Sequence, residues 1–386
     1  MRLAFLSIGR HIHTERWIRW FAERGDECHL LTVQPGPVPG VTVHDITAPV
    51  GPKPLRYALS LRKVKRLLAA IAPDLLNTHF LTGYGYWGHF SGFHPNVLTV
   101  WGDDVYVTPF ESRIKHWLAR RALTSCDALT GDSTDILLRS VELGAASGRA
   151  FRVLWGVDLQ RFRPQPAREF RARYGFDDEH VVFFSPRSFT QPYYNIDVII
   201  AAAARVRAAE PRARFLFAGY EGDPARFVER ATDAGIGDVS AFAGRIPHVD
   251  FAVALNAGDV FLSVPSVDAT AVSLLEAMAC GRAIVVSNLP SSTEWIADQV
   301  SGLVVPARDE AALAGAMLRF AGDPHLRAAC GERALATARA VAGFDANMER
   351  VDAIFGRLID GRGSWPEAVS LPRLAAAGTP AAEVPR

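Results

Sequence analysis

Short apolar runs alternate with amphipathic helical stretches along nearly the whole chain, and few folds accommodate that alternation. A parallel strand pair needs a long crossover, and a helix between two apolar runs supplies one. In the first half the expected strands are 3–8, 28–33, 41–46, 75–79, 97–101, 128–130 and 151–155. Helices at 14–24, 55–71, 112–124 and 133–143 fill gaps between them. The polar stretch 161–169 carries two prolines and reads as a linker. The alternation then restarts, with strands at 181–186, 214–218, 239–242, 260–264, 283–287 and 302–305. Its helices are 197–210, 224–234, 249–257, 271–279 and 310–320. The simplest account is an α/β chain of two Rossmann-like, doubly wound domains, 1–165 and 166–343, facing a central cleft. Open sheets bind ligands beyond the carboxyl ends of their strands, so substrates belong in that cleft. A last amphipathic helix, 344–360, outruns the second sheet and is expected to pack back on the first domain. Residues 361–386 are rich in Gly, Pro and Ala and read as a mobile tail.

Length supports the division, because 386 residues exceed one ordinary hydrophobic core. A net charge of +1 provides no bulk basic field for nucleic acid. Cys28, Cys126, Cys280 and Cys330 are far apart and form no CxxC pair, which favours free buried thiols in a reducing compartment over disulfides or zinc. The opening residues are strand-like and too short an apolar run for a signal peptide, and no segment approaches the ~20 apolar residues that span a bilayer. A cytoplasmic protein is expected.

One segment carries most of the chemical information. In VPSVDATAVSLLEAMACG, residues 264–281, the end of a buried strand runs into the start of a helix, with Asp268 and Glu276 on either side of that start. A helix N-terminus leaves N–H groups unpaired and favours phosphate. Two carboxylates flanking it would accept hydrogen bonds from hydroxylated rings at either end of a diphosphate, as in a nucleotide sugar. The competing reading is a buried helix capped by Ser266 or Asp268, with Glu276 in a structural ion pair.

Several stretches, in order, resemble the family 4 retaining glycosyltransferases of the GT-B fold. PSVDATAVSLLEAMACGRAIVVSNLPSSTEWI with GLVVPARDEAALAGAM is similar to that family's donor-site segment, and FAGRIPHVDFAVALNAGDVFLSVPS to its nucleotide-contacting stretch. LWGVDLQRFRP resembles the interdomain crossover, LTVWGDDVYVTP the acceptor-side segment, and SIGRHIHTERWIRWFAERGDECHLLTV the opening strand, loop and helix. The resemblance implies transfer of a sugar from a UDP- or GDP-linked donor to a hydroxyl acceptor such as a glycan, a glycolipid precursor or a small metabolite. It implies retention at the anomeric carbon, no cofactor and no metal.

The roles that the resemblance implies fall on particular residues. Arg187 would hold the diphosphate, Glu276 the ribose hydroxyls and Asp268 the transferred sugar. Backbone N–H groups of Ala269, Thr270, Ala271 and Val272 would add the helix-terminus contribution, and Arg245 with Ile246 lies in the nucleotide-contacting stretch. Gly9 would let the first domain's backbone approach the phosphates. Two departures stand out. The first member of the family's acidic pair is an aspartate, Asp268, one methylene shorter than the usual glutamate. The lysine that should fall near Tyr194 and Asn195 is missing, and the chain contains no lysine after Lys115. Arg245 as a second cation, a Tyr194 hydroxyl alone, or impaired donor handling are the alternatives.

Other residues carry two readings each. His79 ends an acceptor-domain strand and is either a cleft residue or a core histidine. His11 and His13 either touch a substrate or face solvent. Asp103 is assigned to acceptor hydroxyls, with helix capping as its alternative, and Asp103-Asp104 is not read as a metal site because adjacent carboxylates on a turn diverge. Helix 55–71 carries Arg56, Arg62, Lys63, Lys65 and Arg66, either as a solvated face or as a weak peripheral contact with anionic lipid or a phosphorylated acceptor. Besides transfer, two other functions fit the residues: epimerisation of a nucleotide sugar, and nucleotide-sugar binding without chemistry.

Overall fold

The computed structural model describes residues 1–48, 50–219, 222–361 and 364–366. Most of the expected tail therefore lies outside the described residues. The first domain contains β1 (Arg2–Leu6), α1 (Ile12–Glu23), β2 (Glu27–Thr32), β3 (Val41–Asp45), α2 (Lys53–Ile71), β4 (Leu75–His79), α3 (Tyr84–Ser91), β5 (Asn96–Thr99), α4 (Asp103–Tyr106), α5 (Arg113–Ser125), β6 (Ala128–Gly131), α6 (Thr134–Glu142) and β7 (Ala150–Arg152). The second contains α7 (Arg168–Ala172), β8 (Val181–Ser185), α8 (Ile196–Ala209), β9 (Ala213–Phe217), α9 (Ala225–Asp233), β10 (Ser240–Phe242), α10 (His248–Ala257), β11 (Val260–Ser263), α11 (Val272–Ala279), β12 (Ala283–Ser287), α12 (Pro290–Thr293), β13 (Leu303–Val305), α13 (Glu310–Gly322) and α14 (Pro324–Val341). The chain then runs into α15 (Phe344–Asp360).

All strand pairs are parallel. The first sheet has the order β3-β2-β1-β4-β5-β6-β7 and the second β10-β9-β8-β11-β12-β13. Each order reverses direction once, between β1 and β4 and between β8 and β11. At such a switch point successive crossovers leave on opposite faces and open a crevice between them. The strands are buried on both sides, which is why they read as continuous apolar runs such as VVFFS and AIVVS.

The helices of the first domain divide between the two faces of its sheet. On one face α2 and α3 pack through Val64, Leu68, Tyr84 and Trp87, and α5 and α6 through Ala119, Leu123, Ile136 and Leu137. On the other face α1 buries Trp17, Ile18 and Phe21, and α15 joins it with Met348, Val351, Ile354 and Phe355. The Phe21 and Phe355 rings stack at 5.2 Å. The last helix thus completes the first domain. Two passes of the chain connect the domains, and they touch: Val157 N–H donates to Ala342 O (2.7 Å) and Phe344 N–H to Val157 O (3.0 Å). Gly156 sits at that contact with φ +71°, and a Cβ there would lie 2.5 Å from the Phe344 Cα. No other residue fits without displacing backbone.

Candidate active site

At the switch point of the second sheet, β8 ends in Ser185-Pro186-Arg187 and β11 leads to Asp268. The Arg187 guanidinium donates through Nη2 to Asp268 Oδ2 at 2.5 Å. It also lies 4.1 Å above the Tyr194 ring. Where the resemblance leads one to expect a lysine, the chain instead offers an aromatic face that steadies the arginine. The fork is not fully used, since Arg187 Nε and Ser185 Oγ are buried with no partner among the described residues. Burial raises the Asp268 carboxyl above its ordinary range, and the Arg187 charge opposes that rise.

The helix start beyond Asp268 differs from the expectation. Neither Ser266 nor Asp268 caps α11; Ala271 occupies the N-cap position and makes no side-chain cap hydrogen bond. Two of the four backbone groups assigned to phosphate are already engaged. Ala269 packs into the first domain's core and its N–H serves the Asp268 carboxylate. Thr270 N–H donates to Asp132 Oδ1 (3.3 Å) and its hydroxyl to Asp132 O (2.7 Å), across the cleft. Trp295 Nε1 holds the same hydroxyl at 3.0 Å. The helix-terminus contribution is thereby left to Ala271, Val272 and the residue after them.

One helical turn further, Glu276 is 4% exposed. Its Oε1 lies 3.8 Å from His248 Nε2. Arg161, from the crossover, donates to His248 Nδ1 at 2.9 Å and to the His248 carbonyl. A guanidinium only donates, so Nδ1 accepts and the Nε2–H is turned toward Glu276. Burial raises the Glu276 carboxyl, opposed by His248, Arg16 and Arg161. Beside it a cleft of about 230 Å³ is lined by Arg245, Ile246, His248, Phe251, Pro186, Ala218 and Gly219 of the second domain and Ile12 of the first. A larger cavity of about 810 Å³ opens around Arg171, Asp259 and Arg282. Asp259 precedes β11 and holds Val182 N–H at the start of β8, so that cavity sits at the amino ends of the strands. It is remote from the switch point.

On the first domain's side, Asp103 and Asp104 separate in role. Asp104 is fully buried and accepts from the N–H groups of Leu81 (2.6 Å), Gly102 (2.7 Å) and Trp101 (3.1 Å), tying the loops after β4 and β5 together. Burial pushes its carboxyl up to about 6 despite those bonds. Asp103 is half-buried and close enough to act electrostatically on Asp268 and Tyr193 across the cleft. His79 is a fully buried histidine bound through Nε2 to Asn77 Oδ1 (2.8 Å), and burial pushes it down to about 3. It stands in an aromatic group with Trp17, Trp101 and Trp155, to which His11 and His13 also belong. Gly9 has a packing reason for lacking a side chain: a Cβ there would lie 2.5 Å from Gln34 O, and its N–H donates to Thr32 Oγ1 at 3.0 Å.

Residues 166–337 match the family described as glycosyl transferases group 1, and residues 2–133 the family described as glycosyl transferase 4-like. The two matches fall on the two domains in tandem. This chain belongs to the GT-B glycosyltransferases of the family 4 type. Among curated relatives of this GT-B chain, the D-inositol 3-phosphate glycosyltransferase of Frankia alni is 32% identical over 45% of this chain and 44% of its own, and that of Streptosporangium roseum 31% identical over 59% and 54%. The chain spans about half the length of the curated relatives it matches. The fold is shared with sucrose-phosphate synthase from Thermosynechococcus elongatus (TM-score 0.81, 18% identity, 94% of this chain and 100% of that one). It is shared equally with Anabaena HepE in complex with UDP-glucose (TM-score 0.79, 15% identity, 91% and 98%).

Sequence reasoning about this GT-B chain missed three relationships: the Asp132–Thr270 bond, the His248–Glu276 approach and the Arg187–Tyr194 stack. The first two join residues far apart in the chain, and the third brings an arginine onto a ring seven residues later across a loop, so no regular spacing signals any of them. Among the described residues no three His, Cys, Asp or Glu side chains are placed to hold a metal ion. No described helix is long and apolar enough to cross a membrane.

Proposed function

We propose that this chain transfers a sugar from a nucleoside-diphosphate sugar to a hydroxyl acceptor, with retention and without a metal. The observation that carries the reading is Arg187: a buried guanidinium with an unpartnered Nε at the second sheet's switch point, next to a helix start with no side-chain cap. In such a transfer the barrier comes from separating an oxocarbenium-like sugar from a departing diphosphate, and fixed positive groups lower it. Arg187 and the first N–H groups of α11 neutralise the leaving group. Glu276 accepts the ribose hydroxyls, Asp268 orients the sugar, and Asp103 faces the acceptor. The departing phosphate oxygen takes the acceptor's proton, so no protein base is assigned. The UDP-glucose bound to HepE supports a uridine donor, and the names of the curated relatives support a polyol among the acceptors to be tried.

The test is release of nucleotide from a panel of UDP- and GDP-sugars, with and without polyol and glycan acceptors, in the presence of a chelator. Acceptor-dependent release with an unchanged anomeric configuration in the product is the expected result. An isomerised sugar formed without acceptor would make the chain an epimerase, and metal dependence would overturn the proposed chemistry. One observation favours a second reading, donor binding without transfer. Arg187 is already paired with Asp268, and Asp103, Asp104 and Asp132 are buried or half-buried nearby. Tight nucleotide-sugar binding with no turnover on any acceptor would establish that alternative.

A further inference from the structure

We propose that α5 and the turn before it form a docking surface for an anionic lipid bilayer. α5 buries Ala119, Ala122 and Leu123 against the first sheet and leaves its other face open. On that face Ile114 is 72% exposed and Trp117 51%, and Phe110, in the turn leading into the helix, is 47% exposed. Ile114 and Trp117 are three residues apart in the helix and so lie on one side of it, and the turn that carries Phe110 leads directly into that helix. Single exposed apolar residues are ordinary on a soluble protein; an aligned set that includes tryptophan marks a surface that another apolar phase covers.

The charges around these groups decide what that phase is. Arg113, Arg120 and Arg121 are exposed, and Lys115 is half-exposed between them. The stretch contains one acidic residue, Glu111, and Lys115 pairs with it. Among the described residues Arg113 and Arg120 have no acidic partner. Guanidinium groups also flank the rings themselves, with Arg139 lying 4.7 Å from the Phe110 ring centroid and Arg121 5.5 Å from that of Trp117. Trp and Ile in a ring of Arg suit the boundary between headgroups and acyl chains, where the rings enter and the cations stay at phosphate level. Nucleic acid would satisfy the arginines and leave Ile114 facing water, so a bilayer fits the whole face better.

The expectation attached to helix 55–71 takes a different place here. α2 lies in the same helical layer as α5, with α3 between them. It exposes Lys53, Arg56, Arg62, Lys65 and Arg66 but few large apolar groups, chiefly Leu55 and the preceding Val50. α2 therefore widens the positive field while α5 supplies the insertion. The turn at Phe110 follows α4, which starts at Asp103, so docking sets the first domain's cleft wall beside the membrane.

The experiment is sedimentation of the full chain with vesicles of pure phosphatidylcholine and of phosphatidylcholine containing phosphatidylglycerol, at low and high salt. Binding to the anionic vesicles that falls with salt, and little binding to the neutral ones, is expected. Ile114→Ser with Trp117→Ser, and separately Arg120→Gln with Arg121→Gln, should each weaken that binding at least tenfold with unchanged melting curves, since all four residues are exposed. Arg62→Gln with Lys65→Gln should weaken it by about fivefold per charge. No sedimentation of the wild type with anionic vesicles at low salt overturns the proposal. So does binding that survives loss of Ile114 and Trp117. A change of oligomeric state in the Ile114/Trp117 variant, without vesicle binding by the wild type, would assign the face to a second copy of the chain instead. None of these outcomes depends on sugar transfer.

Discussion

Arg187 and Asp268 meet at 2.5 Å across the point where the second sheet reverses its strand order. The residue that should hold the diphosphate is thus tied to the residue that should orient the sugar. On the proposed reading an incoming phosphate competes with Asp268 for one nitrogen of the fork, while the buried Nε has no partner among the described residues. On that reading the pair sets the balance between binding and turnover.

Arg187→Ala is expected to lower the single-turnover transfer rate by about 10²–10³, the range for losing one stabiliser of developing charge. Arg187→Lys should recover part of it, because a point charge cannot reproduce the fork or the stack on Tyr194. Removing the arginine also strands a largely buried carboxylate, so a melting curve must accompany the rate. Near-normal transfer by a folded Arg187→Ala would place the phosphates elsewhere.

Asp268→Asn separates the two functions of the pair. Without the opposing charge Arg187 is released toward phosphate, so affinity for the free nucleoside diphosphate should hold or rise while kcat falls. Calorimetry alongside turnover makes the comparison. A parallel loss of both would assign Asp268 to the fold.

On the proposed reading Glu276→Ala removes the acceptor of two ribose hydroxyls, and charged hydrogen bonds are worth about 1.5–3 kcal/mol each. Nucleotide affinity should fall at least tenfold. His248→Phe should give a smaller loss, since His248 only orients the carboxylate from 3.8 Å. Unchanged affinity for every nucleoside diphosphate in Glu276→Ala would remove the residue from the site.

Acid stability should depend on the half-buried His11 and the fully buried His79. His11 is pushed down to about 4 and His79 to about 3 by burial, from an ordinary 6.5. A lowered folded value means stability that is present above pH 6.5 and lost as the pH falls, because the unfolded chain then takes up protons that the folded chain refuses. The advantage of the wild type over His79→Gln should shrink between pH 6.5 and about 3, by up to about 1.4 kcal/mol per pH unit. Denaturant melts across that window test it, and a constant gap would mean that His79 titrates normally.

The architecture was legible because parallel strands buried on both faces leave continuous apolar runs, and every strand read from those runs is present within a few residues. Short helices at Asp103–Tyr106, Arg168–Ala172 and Pro290–Thr293 have no counterpart among the expected elements, nor do two longer ones, Tyr84–Ser91 and Pro324–Val341. Of these two, the first is apolar nearly all round and the second alternates Ala with charge, so neither shows a clear stripe. Of the expected site residues, Arg187 and Asp268 meet at the switch point and Glu276 lies in α11 beside His248, since strand ends and helix starts are local features. What they touch was not legible. The place of Thr270 before a helix suggests a phosphate ligand, and only the tertiary structure shows it bound to Asp132.

Gly156→Ala should destabilise the protein by more than about 1 kcal/mol, because the position combines φ +71° with a Cβ 2.5 Å from Phe344. Thermal or denaturant unfolding measures it, and a neutral result would mean that the two crossing segments can move apart.

The same crossing has a consequence for synthesis. The helix that covers Phe21 and holds Trp20 begins at Phe344, after the entire second domain has been translated. A ribosome that has released the first domain's strands therefore still holds back their last layer, and this protein cannot fold in strict order from its N-terminus. The first domain waits with an aromatic face uncovered while the second is made. A chain truncated before Phe344 would keep every strand of both sheets and yet present that face to whatever binds exposed apolar surface in the cell.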